Sequence, residues 1–298
     1  MFYVYNYFRQ HNDNKEIESY KDFYRDFSNK REFGGGYSHY DHLIKNRFMN
    51  VYGHMINIFL RKMPKKVLDI GCGAGVNLPL SKFFDFVQYV GVDYAEKALE
   101  HSKSVYPKVH FEVQDAFDLN LSDRYDLAII SSVLILYKEE QDRVKLLQNA
   151  RSILNSDGKI VAILWKDSWL LVLSIWLSRI IAKIRGVALP EDFMGIHFSE
   201  KEARDMFNKS GLVVEEVIHT ASLYGALESV RYLNMAKYRR NFGAEREIGS
   251  EKEQNILSDL KKESDSNILM SLFYFIADRF PSTLSMFSIY VLKDKEVG

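Results

Sequence analysis

The sequence predicts an α/β protein built on a mostly parallel sheet, and two observations support this prediction. Between residues 67 and 163, apolar strands alternate with amphipathic helices, as in a sheet covered on both faces. The first strand, 67–70, runs into a glycine-rich turn whose following residues are expected to open a helix. Because 298 residues with 47% hydrophobic content exceed one minimal domain of this kind, additional elements are expected.

The glycine-rich turn is the most informative segment. Its pattern is Asp-x-Gly-x-Gly-x-Gly, with Asp69 followed by Gly71, Gly73 and Gly75. Three glycines allow turns with positive φ and let a ligand approach the backbone closely. This pattern indicates a binding site for a nucleoside cofactor.

A second short strand ends in Asp93, 18 positions after Gly75. A carboxylate there can accept hydrogen bonds from both hydroxyls of a ribose. The spacing also separates two cofactor classes, because dinucleotide folds place a third glycine where this chain has Val76. Asp69 would repel a pyrophosphate but suits a cofactor with a cationic amino-acid tail. An NAD(P)-dependent oxidoreductase is therefore the disfavoured alternative.

The order of these motifs resembles the class I S-adenosylmethionine (SAM)-dependent methyltransferases. The acid expected near the adenine amine corresponds to Asp115, the fourth strand to 125–132 and the fifth to 154–163. The resemblance covers residues 64–220 and a last strand near 286–293. It implies a Rossmann-like class I methyltransferase fold, with a seven-stranded, mostly parallel sheet and an antiparallel last strand. It also implies SAM as cofactor and no metal. The residues expected at the cofactor are Asp69, Gly71, Cys72, Gly73, Gly75, Asn77, Asp93, Tyr94, Asp115, Ala116 and Ser131.

Four regions are expected along the chain: a helical N-terminal extension or lid (1–63), a SAM-binding core (64–220), a helical insertion that caps the site or forms a homodimer face (221–284), and the final strand of the core (285–298). Three consecutive glycines at 34–36 favour either a mobile lid or a flexible linker. In many relatives an aromatic hydroxyl on such a lid touches the cofactor, which makes Tyr37 a catalytic candidate.

Residues 169–184 form a predicted amphipathic helix with Trp169 and Trp176 on its apolar face and positive charge late in the helix. Two interpretations stay open: the helix covers the substrate pocket as part of the core, or it lies in a membrane interface. Its position after the fifth strand resembles an insertion in methyltransferases of quinone precursors, which favours a lipophilic substrate. A catalytically silent binding module that docks through this helix is a third functional alternative.

Methyl transfer from a sulfonium is an in-line displacement, so the protein mainly supplies alignment and desolvation. A general base is needed only when the acceptor must lose a proton. Quinone-precursor relatives commonly carry a histidine after the fourth strand, but this chain has Leu136 near that place. His197, Tyr137 and Tyr37 are the candidates for proton handling or acceptor contact. The acceptor is a small or lipophilic molecule whose identity the sequence leaves open.

Charge and cysteine content limit the partners. The formal net charge is zero, so the chain has no global attraction for nucleic acid. Residues 1–9 do not resemble a secretion signal, and the single cysteine, Cys72, gives no disulfide and no cysteine cluster for a metal. A cytoplasmic protein is expected, with any membrane contact made peripherally through 169–184.

Overall fold

The computed structural model describes residues 51, 53–73, 75, 77–78, 80–184, 195–220, 285 and 287–295. Tyr37 and most of the predicted N-terminal extension or lid (1–63) lie outside these residues, as does the predicted insertion at 221–284. Within the described part, no helix is long and apolar enough to cross a bilayer.

Seven strands form one sheet in the order β3-β2-β1-β4-β5-β7-β6. They are β1 (Lys66–Ile70), β2 (Gln88–Asp93), β3 (His110–Val113), β4 (Tyr125–Ser131), β5 (Leu154–Trp165), β6 (Leu212–Thr220) and β7 (Phe287–Asp294). The pairs among β1 to β5 are parallel, whereas β7 runs antiparallel to both β5 and β6. The predicted sheet with its antiparallel last strand is confirmed.

The described helices are α1 (residues 53–62), α2 (Leu80–Phe83), α3 (Glu96–Val105), α4 (Glu140–Ser152), α5 (Trp169–Ile184) and α6 (Glu200–Lys209). Helix α1 carries apolar residues at helical spacing, and Met55, Ile58 and Phe59 among them are buried. Phe59 stacks on Phe84 with 5.0 Å between ring centroids, which ties α1 to the segment after α2. Helix α6 begins with a capping box, in which the Ser199 side chain accepts from the backbone N–H of Glu202.

The described residues fall into two compact units. One unit holds all seven strands together with α1 to α4 and α6, and its core lies between the sheet and these helices. The other unit is represented by α5 and the residues Ser168 and Ser285. Each unit is described by itself below.

The helix after the glycine turn starts later than the sequence predicts. The chain continues in turns beyond Gly75, because the Leu78 N–H donates to the Gly75 carbonyl at 3.3 Å and the Leu80 N–H to the Asn77 carbonyl at 3.0 Å. Helix α2 then spans only four residues. The extra turn brings Asn77 under the glycine segment instead of placing it on a helix.

Candidate cofactor and acceptor site

The candidate site lies at the carboxyl ends of the central parallel strands. Strand β1 is paired with β2 on one side and with β4 on the other, so the strand order reverses next to β1. Open α/β sheets bind ligands at such a switch point. The glycine turn after β1 occupies this position.

Backbone geometry explains the glycines of the turn. The φ angles of Gly71, Gly73 and Gly75 are +68°, +51° and +97°, a region that side chains with a Cβ rarely adopt. The Gly71 N–H donates to the Val92 carbonyl at 2.8 Å, and the Ser102 hydroxyl donates to the Gly73 carbonyl at 3.0 Å. The turn is therefore held by β2 and α3.

Asp93, the acid that the sequence predicts at the ribose, faces this turn. Its carboxylate accepts from the Gly73 N–H and from the Ala95 N–H, each at 2.8 Å. Burial raises the pKa of Asp93, and the backbone N–H bonds partly offset that rise. Because an ionised carboxylate has about four acceptor positions, Asp93 keeps capacity for ribose hydroxyls.

The space beside Asp93 is left open by the glycine. A Cβ added at Gly73 would lie 3.9 Å from Asp93 Oδ2, and within the described residues no other heavy atom comes within 4 Å of it. A side chain at this position would therefore project into the space bounded by the carboxylate. This is the cradle that a ribose would fill.

Asp69 lies at the base of the site, fully buried. The Tyr89 hydroxyl donates to Asp69 Oδ2 at 3.1 Å, and the Asn77 amide donates to Oδ1 at 3.4 Å. Burial raises the pKa of Asp69 to about 7; the two hydrogen bonds lower it and the charge of Asp93 raises it further. Asn77 Oδ1 is buried and has no hydrogen-bond partner among the described residues. Buried acceptors of this kind fit a cationic ligand group better than a pyrophosphate.

Cys72 is a buried residue of the glycine turn. Burial, followed by the negative charges of Asp69 and Asp93, raises the pKa of its thiol well above the usual range. A Cβ added at Gly91 would lie 2.9 Å from Cys72 Sγ and 2.9 Å from the ring of Phe111. Sequence reasoning missed the role of Gly91, although a glycine inside a buried strand signals a close approach.

The loop after β3 holds the two residues predicted beside adenine. Asp115 is exposed, and its Oδ1 accepts from the Phe117 N–H at 2.9 Å. The Asn149 amide donates to the carbonyls of Ala116 and Phe117 at 3.3 and 2.7 Å. Asn149 is therefore a supporting residue that the sequence pattern did not reveal, because it lies on α4, far along the chain.

Two further predicted cofactor residues lie at strand ends. Tyr94 directly follows Asp93 and is 43% exposed, and Ser131 is half-buried at the end of β4. The next residue, Ser132, has a φ of +59°, and its N–H donates to the Ile163 carbonyl at 3.0 Å. A non-glycine residue in this region stores backbone strain of the kind found at functional sites. No local sequence signal marks Ser132.

The 3₁₀ turn after β4, Leu134–Leu136, connects the cofactor edge to a second edge. On one side, a Cβ added at Gly71 would lie 2.5 Å from Val133 Cγ2, so the turn packs directly on the glycine segment. On the other side, the Ile135 carbonyl accepts from the Ile196 N–H at 2.9 Å. Gly195 has a φ of +74°, and its Cβ position lies 2.7 Å from that carbonyl oxygen.

His197 lies in this second edge, between the turn after β4 and the end of β5. The Phe198 N–H donates to the Trp165 carbonyl at 3.0 Å, and the Asp167 N–H donates to the Phe198 carbonyl at 2.9 Å. Burial lowers the pKa of His197, and the charge of Asp167 partly offsets this. The imidazole is therefore mostly neutral at pH 7 and able to accept a proton.

Tyr137 lies near the same edge but has the opposite electrostatic character. Burial raises the pKa of its phenol, and the nearby charge of Asp115 raises it further, so the hydroxyl keeps its proton. Arg143 donates to the carbonyls of Tyr137 and Lys138 at 2.5 and 2.7 Å. Its guanidinium also lies 5.4 Å from the ring centroid of Phe198. Arg143, which sequence reasoning missed, thus joins the segments that carry Tyr137 and His197. Tyr37, the remaining catalytic candidate, lies outside the described residues.

Comparison with known proteins identifies the central segment. Residues 67–158 match the family model of the methyltransferase domain. The putative methyltransferase 235L of Invertebrate iridescent virus 6 is 32% identical over 66 residues, which cover 22% of this chain. The matched stretch spans only a quarter of that curated relative.

Solved structures share the fold at low sequence identity. One is magnesium protoporphyrin IX methyltransferase from Synechocystis, solved with bound S-adenosylhomocysteine (SAH). It has a TM-score of 0.52 at 18% identity, and the match covers 68% of this chain and 94% of that protein's chain. A SAM-dependent methyltransferase from Clostridium acetobutylicum has a TM-score of 0.50 at 11% identity, covering 87% and 98%. Residues 67–158 are therefore similar to a methyltransferase domain, and the described sheet shares the fold of these solved methyltransferases.

Proposed function

We propose that this protein is a SAM-dependent methyltransferase that transfers a methyl group to a small or lipophilic acceptor by in-line displacement. The observation that supports it most directly is the cradle between the glycine turn and Asp93. Gly73 donates its N–H to Asp93 at 2.8 Å and leaves open the space into which a side chain would project. A ribose fits there, since the carboxylate can accept from both of its hydroxyls.

The buried base of the site supports a cationic cofactor. Asp69 and Asn77 Oδ1 are acceptors shielded from water. These groups would hold the positively charged amino-acid end of SAM, and Tyr94, Asp115 and the backbone at Ala116 would border its nucleoside end. When bound, the cofactor supplies an activated methyl group on a sulfonium.

The chain's own contribution to the reaction is alignment, exclusion of water and, where needed, proton removal. His197 is the group best suited to remove a proton, because it is half-buried and its pKa lies below the usual value. The raised pKa of Tyr137 suits it to donate a hydrogen bond instead. Arg143 acts as a positioning residue for both segments.

The surroundings of His197 favour a partly apolar acceptor. Trp165 and Phe198 form one of the backbone hydrogen bonds that hold the His197 segment, and both side chains are almost fully buried. Phe117 packs edge-on against Tyr137 with 4.9 Å between ring centroids. Aromatic walls with a few polar groups are typical of sites for small organic ligands.

Calorimetric titration with SAM, SAH and NAD tests the cofactor assignment. SAM and SAH are expected to bind the wild-type chain, whereas NAD is not. Asp93→Ala is expected to weaken SAM binding by about 100-fold, because the ribose loses charge-assisted hydrogen bonds. Asp157→Ala is the matched control, since Asp157 is exposed near the opposite end of β5 and should leave binding unchanged.

Two outcomes would overturn parts of this proposal. Binding of NAD in preference to SAM would replace it with the oxidoreductase alternative. Binding of SAM without formation of SAH across a panel of phenols, amines and carboxylic acids would favour the catalytically silent binding module.

A further inference from the structure

Helix α5 exposes large apolar side chains. Trp169 and Trp176 are each 57% exposed, and Ile184 is 79% exposed. Thirteen large hydrophobic side chains are exposed within the described residues, and six of them belong to this one helix. The six are Trp169, Val172, Leu173, Trp176, Ile180 and Ile184. Such a concentration marks an interaction surface, whereas scattered exposed residues do not.

These six side chains share one side of the helix, which we call the α5 apolar face. At 100° per residue they lie within an arc of about 120°. Leu171, which is fully buried, lies nearly opposite the centre of that arc. Ordinary surface helices bury the apolar side and expose the polar side. In α5 an apolar side is exposed.

Positive charge accompanies the α5 apolar face. Arg179 and Lys183 are exposed near the end of the helix, and residues 169–184 contain no acidic residue. Lysine and arginine side chains can place their aliphatic parts along an apolar surface while their charged ends reach water or phosphate. Tryptophan prefers the boundary between apolar and polar layers. The combination is complementary to an anionic lipid surface.

We propose that α5 binds the interface of an anionic lipid bilayer. The helix is about 24 Å long and lies along the surface, with the α5 apolar face in the boundary between head groups and acyl chains. Arg179 and Lys183 contact lipid phosphates, which gives the preference for anionic lipid. This mode differs from spanning, for which no described helix suffices. The proposal does not depend on methyl transfer.

Co-sedimentation of the full chain with vesicles tests this proposal. The wild type is expected to pellet with vesicles of phosphatidylcholine and phosphatidylglycerol and to bind phosphatidylcholine alone at least about tenfold more weakly. The double variant Trp169→Gln with Trp176→Gln is expected to lose at least about tenfold in partition coefficient. Arg179→Gln with Lys183→Gln should lose the preference for anionic lipid and its salt dependence.

The matched control removes two exposed aromatic side chains elsewhere. Phe83 and Phe86 are 67% and 59% exposed, and their double change to Gln should leave vesicle binding unaltered. Thermal unfolding of every variant checks that the fold persists. Tryptophan quenching by brominated acyl chains gives a second readout on the wild type itself. Trp169 and Trp176 should be quenched, whereas Trp165, which is 6% exposed, serves as the internal reference.

Failure of the wild type to bind anionic vesicles would overturn the proposal. Undiminished binding by the tryptophan variant would overturn the assignment to α5. Self-association that disappears in the tryptophan variant, without vesicle binding by the wild type, would assign the α5 apolar face to a second copy of this chain instead.

Discussion

The cofactor edge (Asp69, the glycine turn and Asp93) and the acceptor edge (Tyr137 and His197), both named from their proposed roles, are built in different ways. At the cofactor edge, the glycine turn follows β1 and is held by hydrogen bonds to β2 and α3, and β1 and β2 are consecutive strands that pair through all five residues of β1. At the acceptor edge, the segment around His197 is held by bonds to residues about thirty and sixty positions earlier, at Trp165 and Ile135. The cofactor edge is therefore held by elements that follow one another closely in the chain, and the acceptor edge by elements that lie farther apart in it.

This difference indicates that specificity for the methyl acceptor is set at the acceptor edge and not at the glycine turn. The glycine turn has little freedom to vary, because its φ angles and the space beside Asp93 both require glycine. The acceptor edge consists of loops held by a few backbone hydrogen bonds and by Arg143, so its shape can change without disturbing the sheet. Variants at the two edges should therefore separate cofactor binding from turnover.

Asp69→Asn should produce the largest effect, on stability. The folded-state pKa of Asp69 is about 7, above the ordinary aspartate value of 3.8, so the folded state binds this proton more tightly than the unfolded state. Protonated Asp69 therefore makes its whole contribution to the free energy of unfolding below about pH 4, and this contribution is lost as the pH rises through 7. The loss totals about 4 kcal/mol at most. Chemical denaturation should show that the free energy of unfolding of Asp69→Asn no longer declines between about pH 4 and 8, so that this variant is more stable than the wild type at pH 8. The variant should also bind SAM more weakly.

Asp126 provides the matched control with the opposite sign. Burial raises its pKa, but hydrogen bonds from the Lys66 N–H, Asn155 and the Lys65 N–H outweigh this and leave the pKa lowered. Its stabilisation is present above its unfolded pKa and is lost as the pH falls. Asp126→Asn should therefore be less stable than wild type at pH 7. If the free energy of unfolding of Asp69→Asn declined with pH as steeply as that of the wild type, the titration could not be assigned to Asp69.

Gly73→Val should abolish most cofactor binding while leaving the sheet intact. The side chain would project into the cradle beside Asp93, and the φ of +51° adds about 1 to 2 kcal/mol of backbone strain. The expected loss of SAM affinity by calorimetry is at least about 100-fold. Gly53→Val is the control, because Gly53 lies in α1 at negative φ and no other heavy atom of the described residues lies within 4 Å of its Cβ position. Normal SAM affinity in Gly73→Val would mean that the cofactor binds elsewhere.

The contrast between the edges also explains how far the sequence predicts the site. The strands β1 and β2, the glycine turn and Asp93 follow from short apolar runs and fixed spacing, which are local signals. Arg143, Asn149 and the strained Ser132 gave no such signal, since their roles arise from contacts across the fold. The capping box at Ser199 was predictable because its two partners are three residues apart.

His197→Gln should reduce turnover without changing cofactor affinity. If the acceptor must lose a proton, kcat should fall by about 100-fold at pH 8, the lower range for a general base. The wild-type pH profile of kcat should rise with pH, with its midpoint below the ordinary histidine pKa of 6.5, because burial lowers the pKa of His197. If the fall in kcat at low pH disappears in His197→Gln, His197 is the base. Tyr137→Phe, which removes a hydroxyl whose pKa is raised, should keep this fall at low pH.

Gly195→Ala should have the smallest effect, a reduction of kcat of about tenfold. An alanine at Gly195 would combine a φ of +74° with a Cβ only 2.7 Å from the Ile135 carbonyl oxygen. The loop must shift, and the hydrogen bond that holds Ile196 to Ile135 must lengthen, so His197 moves away from its position. SAM affinity should stay within about twofold of wild type, because the hydrogen bonds of the glycine turn come from β2 and α3, and the turn after β4 contacts Gly71 through the Val133 side chain, two residues from the Ile135 carbonyl. A parallel loss of SAM affinity would show that the two edges are coupled, which would contradict the separation argued from their contacts.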